Sequence, residues 1–239
     1  MKKIISTIML LFLTVALFSQ KNVSYRFLYK ITLKKIQTDS SSLTEKQKRY
    51  NRIVNKSKGK DYILDIKENK SIFYEDKKLS SVSNEKLDIV SIFVGKGLFY
   101  YDSSIKIALN KKNVLGEDLI IRSNPKFSWT LTQESRKIGN YQCYKAISYI
   151  NITNRIGKNV RKKIIAWYNP LISINFGIKN YHGLPGLTML LEEDNLIYEI
   201  QKINLNTKIE FDIKKPTKGK ILSEKEYNDI LLKKYRQRF

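Results

Sequence analysis

The chain has 239 residues and a formal charge of +23, with 45 Lys and Arg against 22 Asp and Glu. That length supports one domain with its own core, and the single Cys143 excludes an intrachain disulfide. The lysines are spread along the whole chain, so the charge reads as a solvated basic surface able to touch anionic surfaces, and not as a nucleic-acid site.

Lys2 and Lys3 precede an apolar run from Ile4 to Phe18, and Ser19-Gln20-Lys21 comes next. A short basic segment, about fifteen apolar residues and then small or polar residues describe a secretory signal peptide over 1–20. The run is short for a membrane span, which needs roughly 20 residues. No cysteine stands at its end, so a lipobox is excluded, and no later segment is apolar for long enough to cross a bilayer. The expectation is an exported protein, periplasmic, associated with the outer membrane or secreted, with residues 21–239 forming a single domain.

Tyr25, Phe27, Tyr29 and Ile31 alternate, as a strand requires. The polar stretch after them carries a helix signal from Ser42 to Lys56, with Ser42 as N-cap and Glu45 three residues on. "DYILDIKEN" and "KSIFYEDKKL" predict a hairpin that turns at Glu68-Asn69. "IVSIFVGKGLFYYDSSIKIALNKK" reads as short strands broken at Gly95 and Gly97, and "EDLIIRSN" as another. Further strands turn near Gly139-Asn140, at Asn169-Pro170 (between "KNVRKKIIAWYNP" and "LISINFG") and at Glu193-Asp194-Asn195. Short strands separated by closely spaced turn signals argue for antiparallel β architecture. Ser223 and Glu226 form a capping-box pair, after which Tyr227, Ile230, Leu231 and Tyr235 recur at helical spacing, predicting a C-terminal helix over 223–237. The predicted fold is mainly β: a curved antiparallel sheet, bowl-like or half-barrel-like, with one or two peripheral helices.

A catalytic set is absent from the pattern. His182 is the only histidine, which rules out a two- or three-histidine metal centre, and no G-x-S-x-G turn supplies a nucleophile for it. Glu192, Glu193 and Asp194 cluster near a hairpin tip, where they offer oxygen ligands to a hard cation or, more simply, a solvated loop. Gly95-Lys96-Gly97 lacks the spacing of a phosphate loop. No metal, cofactor or catalytic residue is expected. Fifteen tyrosines, ten phenylalanines and two tryptophans either line a groove or fill the concave face of a sheet. Trp129, Trp167, Tyr168, Tyr181 and His182 are the candidates for a ligand-binding group.

"YHGLPGLTML" (181–190) concentrates two of the ten glycines, one of the four prolines and the histidine. Leu184-Pro185-Gly186-Leu187 has the signature of a type II turn, with Gly183 adding freedom before it. Leu187, Met189 and Leu191 then alternate into a strand. Gly183, Leu184, Pro185, Gly186 and Leu187 are therefore read as a structural motif.

The segments "WTLTQESRKIGNYQCYKA" (129–146), "AWYNPLISINFG" (166–177) and "GLPGLTMLLE" (183–192) together resemble the GLPGLI family, envelope proteins of the Bacteroidetes named for this motif. Two positions depart from the pattern: Thr188, where the family usually has Ile, and Gly177-Ile178, where it usually has Gly-Pro. The resemblance implies an exported β-rich protein, with a bowl comparable to periplasmic lipoprotein-carrier folds. Related segments also resemble a bowl-like module attached to a secreted deglycosylating enzyme. That resemblance implies a binding or accessory domain. With the signal peptide, the dense aromatic strands and the absence of a catalytic set, the expectation is a non-enzymatic exported protein that binds a hydrophobic, peptide or glycan ligand, or an outer-membrane partner. The alternative expectation is a structural or assembly factor of the envelope without a ligand pocket.

Overall fold

The computed structural model describes residues 24–37, 43–77, 89–94, 97–114, 116–124, 127–154, 157–205 and 211–236. The expected signal peptide, Ser42 and the Gly95-Lys96 pair lie outside them.

Twelve strands form one sheet: β1 (Ser24–Leu33), β2 (Lys60–Lys67), β3 (Lys70–Glu75), β4 (Leu98–Asp102), β5 (Ile107–Val114), β6 (Glu117–Ser123), β7 (Thr130–Ile138), β8 (Tyr141–Thr153), β9 (Asn159–Asn169), β10 (Leu187–Glu193), β11 (Leu196–Leu205) and β12 (Lys220–Ser223). Their order is β12-β6-β5-β4-β3-β2-β1-β11-β10-β9-β8-β7. Two antiparallel meanders, β1 to β6 and β7 to β11, are thus joined where β11 pairs back onto β1. The predicted β class holds, with one amendment to the all-antiparallel sheet: β12 pairs parallel to β6. A parallel neighbour needs a crossover; between β6 and β12 that connection is the whole second meander, and its last stretch, residues 211–219, lays Ile213 against Tyr100, Leu109 and Ile120 on the outer face.

Three helices are described rather than one or two: α1 (Glu45–Lys56), α2 (Ile89–Val94) and α3 (Glu224–Arg236). The cap of α1 is Thr44, whose hydroxyl accepts from the Gln47 N–H while the Gln47 side chain accepts from the Thr44 N–H. The expected box at Ser42 and Glu45 is therefore two residues early. Residues 89–94, expected as a strand, are helical instead. Val90, Ser91 and Val94 are buried while Phe93 is exposed, and so short an apolar run has no period that separates strand from helix. The box opening α3 is as expected, with the Glu226 carboxylate accepting from the Ser223 N–H at 2.7 Å.

Side chains alternate across the strands, so one face of the sheet carries a continuous row: Phe27, Leu64, Phe73 and Phe99 stand opposite one another across four neighbouring strands. All four are buried, and Phe73 stacks on Tyr62 at 5.1 Å between ring centroids. The sheet curls around this face. Residues of β5 and β6 near one end line the same cavity as residues of β8 near the other, and a methyl placed on Gly157 at the β8–β9 tip would lie 3.6 Å from Leu232 of α3.

Residues 170–186 fill the bowl. The pattern of "LISINFG" predicts extended chain, yet this stretch is irregular and folded on itself, with Ile174 N–H bonded to Ile172 O and Gly183 N–H to Asn175 O. Ile172, Ile174, Ile178, Tyr181 and Leu184 are all buried in the main core. The type II turn at 184–187 is corrected as well. Gly186 has φ 154°, far from the value such a turn needs, and the Leu187 N–H bonds to Ile172 O. Glycine is required here because a Cβ would sit 2.2 Å from Asn169 O, and at Gly177 because a Cβ would sit 1.6 Å from Tyr181 O. The obstacle in both places is backbone, which cannot swing away.

We expect Gly186→Ala and Gly177→Ala each to cost on the order of 3 kcal/mol, since overpacking against backbone exceeds the usual side-chain case. Gly139→Ala, whose φ of 56° faces open space, should cost about 1 kcal/mol. Urea titrations of the three variants check the ranking; equal midpoints would refute the close-approach account.

Candidate functional site

The hairpin turn at Asp194-Asn195 places Glu193 at the end of β10, facing inward beside Ile164 of β9 and Leu196 of β11. The expectation of a solvated loop is corrected for this residue: Glu193 is 9% exposed. Its Oε1 accepts from Tyr181 Oη at 2.8 Å and Lys162 Nζ at 3.2 Å, and its Oε2 from Lys179 Nζ at 2.7 Å and Tyr198 Oη at 3.0 Å. Burial by itself raises the carboxyl pKa, but the two ammonium groups and the hydrogen bonds outweigh it and bring Glu193 down to about 2. Both tyrosines are pushed well above their ordinary range, by burial and then by this carboxylate. Asp194 shares Lys162 with Glu193, at 2.6 Å, whereas Glu192 turns away to Lys34. No group of three His, Cys, Asp or Glu fit for a metal exists among the described residues.

His182 lies in the same plug, 7% exposed, its ring stacked on Tyr101 at 3.7 Å and 14°. Nδ1 accepts from the Gly177 N–H at 3.0 Å, which places the proton of the neutral ring on Nε2, where no partner is found among the described residues. Burial holds its pKa down at about 3, so the ring is neutral at any ordinary pH. Trp129 donates its indole N–H to His182 O at 2.9 Å, and Phe127 bridges Trp129 and Tyr181 at ring distances of 6.4 and 5.1 Å.

Of the five candidate binding residues, three thus meet: Trp129, Tyr181 and His182. Tyr168 and Trp167 are neighbours on β9 and so face opposite sides of the sheet. Tyr168 packs on Tyr144, whereas Trp167 lies on the outer face under the Arg136 guanidinium at 4.1 Å. Of Gly183, Leu184, Pro185, Gly186 and Leu187, Gly186 lies against the Asn169 backbone at the end of β9, Leu187 pairs with Asn169, and Leu184 and Leu187 are buried in the main core. Cys143 is fully buried as a free thiol.

Above the plug is a cavity of about 640 Å³. Its floor is Lys179, Asn180, Tyr181 and Glu193; its walls are Asn110 and Lys112 of β5, Ile121 and Ser123 of β6, and residues Tyr149, Ile150, Asn151, Ile152 and Thr153 of β8. Phe127 borders it, and α3 adds Glu224, Tyr227 and Asn228. Sequence reasoning missed all of these wall residues, because β5, β6, β8 and α3 are brought together only by the curl of the sheet. Two of the lining residues, Asn110 and Asn180, have Oδ1 atoms that are closed off from solvent and without a hydrogen-bond partner among the described residues. An amide oxygen left so costs about 1–3 kcal/mol. A second cavity of about 880 Å³ lies on the outer face beside Arg26 and Tyr74. There the charges are already spoken for, since Arg26 makes a two-pronged pair with Asp65 and Tyr74 donates to the same carboxylate.

No family model matches the chain, and no curated protein matches it. Among solved structures, two crystal forms of PNGF-II resemble it. The P21 form aligns with a TM-score of 0.49 at 15% identity, covering 88% of this chain and 34% of that one. The C2 form aligns with 0.45 at 14% identity, covering 90% and 33%. The chain therefore spans about a third of the length of the solved chains it matches.

The two buried titrating groups predict acid lability with a definite sign. His182 has a folded pKa near 3 against 6.5 for an ordinary imidazole, so the unfolded chain takes up the proton first. Its contribution is complete above pH 6.5 and is lost as pH falls toward 3, at about 1.4 kcal/mol per unit for one proton. Glu193, near 2 against 4.5, adds a loss that begins below pH 4.5. Urea unfolding between pH 7 and 5 should show the one-proton slope in the wild type and a flat profile in His182→Gln. A slope unchanged by the substitution would refute the assignment. Glu193→Gln should cost about 3 kcal/mol at pH 7, because it leaves the buried Lys179 ammonium short of its counter-charge, while Lys162 keeps Asp194.

Proposed function

We propose that the chain is an exported, non-catalytic binding module of the cell envelope, of the GLPGLI kind, which takes its ligand in the cavity above the plug. The observation that carries this reading is the cavity itself, about 640 Å³ in volume, lined by amide, hydroxyl and aromatic side chains drawn from β5, β6, β8, α3 and the segment 179–181. The mixture of amides, hydroxyls and the rings of Phe99, Phe127, Tyr149, Tyr181 and Tyr227 suits a peptide or glycan better than a purely hydrophobic ligand. The binding reading over a catalytic one is supported by the acids and bases present. Glu193 is saturated by four donors, and His182 is buried and held neutral.

The second reading, a structural or assembly factor of the envelope, draws on the packed plug, which leaves the lower half of the bowl without room for a ligand. The two readings differ over the mouth alone.

Protein purified from its own envelope, and kept native into the mass spectrometer, should carry an added mass. Asn110→Leu should lose that mass while melting at the same temperature or higher, since it removes an unsatisfied acceptor. A bare wild-type protein, with no envelope partner captured by a photo-crosslinker placed at Tyr227, would decide for the structural reading. Cell fractionation gives the location, and a chain retained in the cytoplasm would remove the exported part of the proposal.

A further inference from the structure

β8 is longer than the strand beside it. Its pairing with β7 ends at Thr130 opposite Ile147, whereas its pairing with β9 runs on to Thr153 opposite Asn159. The cause lies just upstream of β7. Trp129 and Phe127 are drawn onto the plug by the bond to His182 O and by the ring contact with Tyr181, so the chain leaves the sheet there. Ser148 to Thr153 consequently have a strand on one side only among the described residues.

Which backbone groups are left free is set by the ladder. The Asn154 N–H bonds to Lys158 O, closing the β8–β9 hairpin, and the Asn169 amide bonds to Gln142 O from the β9 side. In an antiparallel pair, residues turn their N–H and C=O alternately toward one neighbour and the other. Even-numbered residues of β8 therefore face β9, and Tyr149, Asn151 and Thr153 turn both groups away from it. They turn them toward the cavity, which residues 149–153 line consecutively. A strand face contributes every second residue to a wall; only an edge contributes five in a row.

The sheet guards its other long edge. β7 has a register irregularity between Leu131 and Ser135 and carries Glu134, Arg136 and Lys137, devices that discourage strand addition. The stretch Ser-Tyr-Ile-Asn-Ile-Thr of β8 has no charge, no proline and no register shift against β9.

We infer that the free edge at Ser148–Thr153 receives an extended peptide, which enters the cavity as an added strand beside β8. This rests on the cavity being the binding site and names what occupies it. At about 3.3 Å per residue the edge matches a peptide of about six residues, held by main-chain bonds to Tyr149, Asn151 and Thr153. Alternate side chains then meet Asn110, Ser123, Asn180 and Tyr227. The polar side chains along the lining, among them Ser123, Asn151, Thr153 and Asn228, suit short hydroxyl- or amide-bearing residues. The flanking cations, Arg161 over Tyr149 at 4.2 Å and Lys112 over Tyr227 at 4.3 Å, together with the charge of +23, select a neutral or acidic peptide. A glycan or an acyl chain does not offer donors and acceptors at the strand repeat, so it would leave the edge unsatisfied.

The test pans a phage library of random heptapeptides on the folded wild-type protein and measures the enriched peptide by fluorescence anisotropy. That peptide, N-methylated at alternate residues in one register, should bind at least tenfold more weakly, while methylation in the other register leaves affinity within about twofold. Asn151→Pro removes one edge-facing N–H and leaves the β9 ladder intact, so it should melt near wild type and bind at least tenfold more weakly. Should that variant unfold, the methylation pair decides alone. Failure to enrich any peptide, or an enriched peptide indifferent to methylation in both registers, overturns the inference. A non-peptide mass carried by the native protein, lost in Asn110→Leu but kept in Asn151→Pro, also overturns it while upholding the cavity as a binding site.

Discussion

One carboxylate organises the inside of this bowl. Glu193 reaches the interior from the end of β10 and collects Lys162 from β9, Tyr198 from β11, and Lys179 and Tyr181 from the plug. Lys179 would not be tolerated there alone, because a buried ammonium without a counter-charge is costly, and Lys162 is held by Asp194 as well. The acid likewise keeps its charge in that setting only because both lysines are present. The plug is thereby fastened to three strands at a defined height, and the space above it is left over as the cavity. The floor of the candidate site is thus a by-product of an ion cluster buried beneath it.

Below that floor the molecule tolerates no slack. Tyr101 stacks on His182, Tyr29 donates to Thr188 O at 2.7 Å, and two glycines let backbone approach backbone at distances no side chain permits. Above it the sheet leaves the edge of β8 beyond Ile147 without a second strand among the described residues. Packing is close on one side of the floor and open on the other. The boundary between the two regimes runs through Asn180 and Tyr181, adjacent residues of one loop.

Much of the fold is legible in the sequence because it is local. The hairpins at Glu68-Asn69, Gly139-Asn140 and Asp194-Asn195, the capping box at Ser223 and the alternation of Tyr25 to Ile31 are written in neighbouring residues, and all are present. Expectation and structure part where partners lie far away. Ile172 and Ile174 alternate as a strand would, but no strand is available to pair with them, and the chain folds on itself instead. Glu193 resembles its neighbours Glu192 and Asp194 in the sequence; only the registers of β9 and β11 and the course of the plug decide that it alone is enclosed. For the site, the aromatic residues near the motif are legible, and three of the five candidates do meet. The wall residues Asn110, Ser123 and Asn151 carry no signal, since each is an ordinary polar residue on an ordinary strand until the sheet curls.

The place of β1 bears on how the molecule comes to exist. Its one side pairs with β2, close in sequence, and its other with β11, where Tyr25 meets Leu205 at the far end of the second meander. That long-range pairing closes the structure, and loop closure over so much chain is entropically late. Without that pairing the first meander would keep an open edge at β1, and the aromatic row from Phe27 to Phe99 would lack the segment that covers it. A sheet closed by so distant a pair is expected to fold more slowly than one built from neighbouring strands alone.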